Sequence, residues 1–127
     1  MSKVVFDASA IIAASNSEAG SSTVLALKDK SAVSTVNLAE VKGKLVQRGL
    51  APGDAWAVAL AFSGEVFSFD SEQASIAGSL VEFTRPYGLS LGDRVCLALA
   101  LVLDAPVYTT DRTWAKLDLG LRIHLLR

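Results

Sequence analysis

Short β-branched, apolar runs alternate along this chain with stretches of helical patterning, and few folds accept that alternation. Lys3–Phe6, Ala32–Ser34, Val66–Phe69 and Pro106–Thr110 read as strands, with Arg122–Leu125 as a final edge strand. Runs that are apolar at consecutive positions suit strands covered on both faces. Helices are expected from Ala8 to about Asn16, from about Glu18 to Lys28, over Asn37–Arg48, from Pro52 to about Phe62, over Ser71–Phe83, and from a Ser90 cap to near Leu103. A turn of helix through Trp114 follows the fourth strand. Leu38, Val41 and Leu45 share one face of the Asn37–Arg48 helix, which Gly49 closes. Ile76, Leu80 and Phe83 fall in helical register on the Ser71–Phe83 segment. Strands alternating with helices imply an α/β sandwich on a mainly parallel sheet, with right-handed crossovers placing helices on both faces.

A chain of 127 residues suits one domain with one core, here expected over residues 1–127. With 51% hydrophobic and 20% charged residues it has ample material for that core, so disorder is excluded. The longest unbroken apolar run, Val95–Leu103, is far shorter than the ~20 residues a membrane-spanning helix needs. No basic-then-apolar leader opens the chain, and the sole cysteine, Cys96, has no internal disulfide partner; a cytoplasmic protein is expected. The net charge of −1 argues against a polybasic nucleic-acid binder, without excluding an enzyme that grips phosphates through metal ions and a few local cations.

In parallel α/β sheets, function gathers outside the carboxyl ends of the strands. Asp7 follows the first strand directly and Asp111 follows the fourth. Glu40 lies one turn into the helix after the second strand, and Asp93 lies in the first turn of the helix before the fourth. All four therefore fall on one edge. Each has a structural alternative. Asp7 and Asp111 suit helix N-caps; Ser90-Leu91-Gly92-Asp93 resembles a capping box with aspartate in place of glutamate; Glu40 can pair with Lys44. Taken together, these alternatives do poorly. Asp7 ends an apolar strand and Asp93 opens a helix that is apolar all round, so their carboxylates gather in a confined cleft. Crowded carboxylates raise one another's pKa or need a cation. An all-oxygen set suits Mg²⁺ or Mn²⁺, whereas zinc would find only Cys96 and His124 as softer ligands. The matching chemistry is metal-assisted attack on a phosphodiester.

Phe6-Asp7-Ala8-Ser9, Leu38-Ala39-Glu40-Val41, Leu91-Gly92-Asp93 and Thr109-Thr110-Asp111-Arg112 resemble, in order, the four acidic signatures of PIN domains. The resemblance covers essentially the whole chain, and the compact size is similar to that of VapC toxins of type II toxin–antitoxin modules. It implies a three-layer α/β/α sandwich with sheet order 3-2-1-4-5 and Mg²⁺- or Mn²⁺-dependent endoribonuclease activity on RNA. Asp7, Glu40, Asp93 and Asp111 would be the catalytic acids, with Asp7 and Asp93 as primary metal ligands. Glu40 would support the metal or orient water, and Asp111 would complete the pocket or bind a second ion. Thr109 matches the family's hydroxyl position beside the last acid. The resemblance also implies a homodimer and an antitoxin partner. Gly43, inside the third helix, weakens that helix's propensity.

Other residues are weighed beside these. Asp70 also follows a strand, but that strand lies at the sheet edge in the implied order, so Asp70 reads as an N-cap. Thr109, Arg94 and Arg112 are candidates for contacting substrate, with rim ion pairs as the alternative for the arginines. Lys42, Lys44 and Arg48 form either a basic stripe or a solvated helix face. Ala55–Phe62, including Trp56, is apolar at every position, which suits burial on both sides, by the interior or by a second protein. Trp114 reads as core, and His124 has no assigned role. A haloacid-dehalogenase-type enzyme would need an aspartate where Ser9 stands. A receiver domain with Asp70 as acceptor would need a lysine near the end of its last strand, which is missing. Two alternatives remain: a PIN-like binding module without catalysis, and a standalone RNA-processing nuclease.

Overall fold

The computed structural model describes residues 3–127. Strands β1 (Val4–Phe6), β2 (Ser31–Ser34), β3 (Glu65–Phe67), β4 (Val107–Thr109) and β5 (Ile123–Leu125) form one sheet in the order β3-β2-β1-β4-β5. Every pairing is parallel, so the expected order holds and no antiparallel strand joins it among the described residues. β1 and β2 are buried throughout, while the edge strands β3 and β5 are half exposed. Their sequences follow that split: Val4-Val5-Phe6 is unbroken apolar, and Ile123-His124-Leu125 alternates.

Side chains of successive strand residues point to opposite faces, and two cores result. Val4, Phe6 and Val33 join the cluster beneath α1 (Ala8–Ser15), α2 (Ser21–Leu27), α3 (Thr35–Gln47) and α4 (Pro52–Ala61). Val5, Ala32 and Val107 join the other, with Leu97 and Leu99 of α7 (Leu91–Leu103) and Trp114. There α5 (Ser71–Ser79) and the short α6 (Val81–Thr84) complete the layer. The fold is a three-layer α/β/α sandwich. α7 is buried continuously from Val95 to Ala100 because it lies between the sheet, α3 and α5. Trp114 is fully buried, as expected.

Several boundaries differ from the sequence reading for local reasons. α2 starts at Ser21, after Gly20 at φ +94°; a Cβ on Gly20 would meet Leu126 Cβ at 2.7 Å, so the chain needs glycine to turn beneath the C-terminal segment. α3 starts two residues earlier than Asn37, because Ser34 Oγ accepts from the Val36 N–H at 3.2 Å and caps it. The expected Ser71–Phe83 helix divides into α5 and α6, where Thr84 Oγ1 donates to the Leu80 carbonyl at 2.8 Å. Leu80 is buried but Phe83, expected on the same face, is 58% exposed. α4 buries Ala55 and Ala59 and leaves Trp56 and Leu60 exposed, so a helix apolar all round is covered on one side only. Among the described residues, no helix is long and apolar enough to cross a membrane.

Candidate active site at the carboxyl edge of the sheet

Asp7, Glu40, Asp93 and Asp111 line one cleft of ≈ 220 Å³, together with Ser9, Asn37 and Lys44. Four elements deliver the acids. Asp7 stands between β1 and α1, Glu40 is on α3, Asp93 is in the first turn of α7, and Asp111 follows β4. α7 runs back across the sheet before β4, which brings its N-terminus to the carboxyl edge where α1 and α3 also begin.

Asp7 is the most confined. It caps α1 by accepting from the Ala10 N–H at 2.9 Å, and the same Oδ1 accepts from Ser9 Oγ at 2.7 Å. Its Oδ2 accepts from Thr109 Oγ1 at 2.6 Å. Burial drives its pKa up from 3.8 to about 6; the bonds from Thr109, Ser9 and Ala10 pull the other way, and the negative charge of Asp93 adds to the rise. The two hydroxyls also tie β1 to β4. Ser9 Oγ accepts from the Thr110 N–H at 3.0 Å, and Thr109 Oγ1 accepts from the Asp111 N–H at 3.0 Å.

Cap and cleft turn out to be compatible duties. Asp93 Oδ2 accepts from the Ser90 N–H at 3.0 Å while Ser90 Oγ accepts from the Asp93 N–H at 3.2 Å, a complete capping box. Asp111 Oδ1 accepts from the N–H and the hydroxyl of Thr113, at 3.0 and 2.7 Å. Among the described residues, no donor reaches Asp93 Oδ1 or Asp111 Oδ2, so each acid caps with one oxygen and retains the other. The Glu40–Lys44 pair, the structural alternative for Glu40, does not form: the ion pairs among the described residues are Lys3–Glu65 and Arg127–Glu18, neither at the cleft. Glu40 Oε1 instead accepts from Asn37 Nδ2 at 2.7 Å.

A model of the PIN domain matches residues 4–119. The chain belongs to the PIN-domain family. No curated protein gives a match. Among solved structures, a DNA-bound VapBC from Salmonella typhimurium is similar at TM-score 0.76 and 22% identity, covering 100% of both chains. A toxin–antitoxin complex from Klebsiella pneumoniae gives TM-score 0.75 at 18% identity, covering 98% of each chain. VapBC-5 from Mycobacterium tuberculosis gives 0.63 at 24%, covering 100% of this chain and 99% of that one. At these identities the likeness is one of fold.

Within this PIN domain the other sequence-predicted residues separate. Thr109 is fully buried and spends its hydroxyl on Asp7, so it holds an acid rather than meeting substrate. Arg94 turns away from the cleft; its Nη1 donates to the Ala77 carbonyl at 3.2 Å and ties α7 to α5. Arg112 is exposed and does not line the cleft. Asp70 caps α5, accepting from the Gln73 N–H at 2.9 Å, and lies outside the cleft as well. Of the three basic residues on α3, Lys44 lines the cleft, while Lys42 sits over the Trp56 ring at 5.9 Å. His124 stacks on Tyr108, with ring centroids 4.7 Å apart. Sequence reasoning missed Ser9 and Asn37 as site residues. Their signals were positions two after Asp7 and three before Glu40, both common spacings for local hydrogen bonds.

The donor set fits a hard divalent cation: four carboxylates, an amide and a hydroxyl, with no soft ligand among them. Cys96 is buried and its thiol pKa is pushed well up by burial and by the neighbouring acids, so it is no thiolate donor. Among the described residues, no three acidic, imidazole or thiol side chains converge closely enough to bind an ion between them. That spacing is compatible with Mg²⁺, which commonly takes one or two carboxylates and keeps water and substrate oxygens for the rest.

Proposed function

We propose that this PIN domain is a divalent-metal-dependent endoribonuclease and the toxin member of a VapBC-type toxin–antitoxin pair. One observation carries the nuclease reading: in a PIN domain, Asp7, Glu40, Asp93 and Asp111 reach a single cleft from four elements, and none of them forms an ion pair among the described residues. Carboxylates gathered in this way repel one another and favour a bound cation. In this reading Asp7 and Asp93 hold Mg²⁺ or Mn²⁺, Asp111 completes the pocket or serves a second ion, and Glu40 orients water. The bound metal supplies Lewis acidity, acidifying water and neutralising charge that develops on the phosphodiester.

The protein's own residues prepare the cleft for that chemistry. Ser9, Thr109 and the Ala10 N–H fix both oxygens of Asp7, so its carboxylate is aimed before any ligand arrives. Lys44 is the cation lining the cleft, placed to offset phosphate charge. The toxin assignment is supported by the three similar complexes and by the exposed Trp56 and Leu60 of α4, a surface suited to an antitoxin or a second copy in a homodimer. A cytoplasmic location accords with RNA as the substrate.

Purified, antitoxin-free protein incubated with structured RNA tests the reading, with Mg²⁺, Mn²⁺ or EDTA and with folded Asp7→Asn and Asp93→Asn variants alongside. Metal-dependent cleavage lost in both variants is the expected result. Cleavage that survives in both refutes the site, and metal binding without cleavage of varied RNAs favours a binding module.

A further inference from the structure

Glu40 belongs to the cleft but sits in the middle of α3, exposed, whereas the other three acids stand at helix caps or in a first turn. A mid-helix glutamate side chain samples many rotamers. Two neighbours restrict it. Asn37, one turn earlier on α3, is only 1% exposed and uses its amide as a fork: Nδ2 donates to Glu40 Oε1 at 2.7 Å and to the Gly92 carbonyl of α7 at 3.0 Å. Both partners are acceptors, so the amide orientation is settled by the network itself. The second neighbour is Gly92. A Cβ added there would lie 2.5 Å from Glu40 Cδ and Oε1, although the helical backbone of α7 makes no demand for glycine. The missing side chain at 92 is the space the carboxylate fills.

The arrangement carries a cost. Asn37 Oδ1 is buried and accepts no hydrogen bond among the described residues. A buried acceptor left unmade is unfavourable where a well-packed apolar residue would not be. Gly92 likewise weakens the first turn of a helix relative to alanine. Two residues that are each unfavourable for stability therefore converge on one carboxylate, next to Asp93. We propose that Asn37 and Gly92 are positioning residues that lock the Glu40 carboxylate at the cleft, and that this lock sets the cleft's affinity for a divalent cation. The metal half of the proposal rests on the nuclease reading above; the lock itself does not.

The test is Mn²⁺ binding to the metal-free chain by calorimetry, for wild type, Asn37→Ala, Gly92→Ala, Glu40→Ala and the double variant Asn37→Ala/Glu40→Ala. Substitutions of groups that orient a ligand typically weaken metal binding 10- to 100-fold, and Asn37→Ala and Gly92→Ala are each expected to lose about tenfold. Because Asn37 acts through Glu40, the double variant should bind no more weakly than Glu40→Ala. Equal wild-type and Asn37→Ala affinities, or additive losses in the double variant, overturn the proposal. Thermal denaturation separates these effects from misfolding, and Gly92→Ala guards against a poorly folded Asn37 variant, since alanine favours the helix. A wild-type chain that binds no Mn²⁺ overturns the metal reading instead. The lock is then judged by the Asn37 side-chain amide resonances, which must shift in Glu40→Gln; no shift overturns it.

Discussion

Asp7 must be ionised to hold a cation, yet burial holds its pKa near 6 rather than 3.8. Converted to free energy, that rise is worth about 3 kcal/mol of folding stability. The neutral acid stabilises the fold: the contribution is fully present below pH 3.8 and is lost as pH rises through about 6. The amide introduced by Asp7→Asn would remain neutral at every pH. It would keep the cap to the Ala10 N–H, since asparagine caps as well as aspartate, but would give up the charge-assisted bonds from Ser9 and Thr109. In EDTA, urea denaturation of wild type and Asp7→Asn at pH 4 and pH 8 should show their stability difference moving by about 2–3 kcal/mol in the variant's favour at the higher pH. Excess Mg²⁺ should close that gap at pH 8 by binding wild type alone. A difference that stays constant from pH 4 to pH 8 refutes the reasoning, because the carboxylate would then carry no desolvation cost.

Two further outcomes separate capping from the site. Asp70→Ala should cost about 1 kcal/mol of stability in thermal or urea denaturation, by loss of the α5 cap, and leave metal-dependent RNA cleavage unchanged. Lys44→Ala should raise the KM for RNA up to roughly fivefold with kcat little altered, and should reduce the salt dependence of RNA binding by about one ion; an unchanged salt slope removes Lys44 from the phosphate path.

Patterns that depend on a few neighbouring residues were legible in the chain. Consecutive apolar residues at Val4–Phe6 and in the all-apolar Val95–Leu103 announced buried elements, although α7 is covered on all sides only from Val95 to Ala100 and Val102 emerges at the surface. Their alternation with helices implied the parallel sandwich, and the ordered acids with their flanking residues identified the family. Ser34 was read correctly as the end of a strand, but its second duty, capping α3 with its hydroxyl, was not. Gly20 was missed as the start of α2 because its partner, Leu126, lies at the other end of the chain. The acids show the same division. Asp7, Asp70, Asp93 and Asp111 all cap helical turns, and capping is a local property readable from sequence. Which of them share a cleft is decided by strand order: β1 lies beside β4, whereas β3 lies at the far edge and carries Asp70 with it. The Asn37–Gly92 contact bridges 55 positions and the Asp7–Thr109 bond 102. No periodicity encodes such pairs, because they exist only once two buried layers have packed and brought the ends of their helices together.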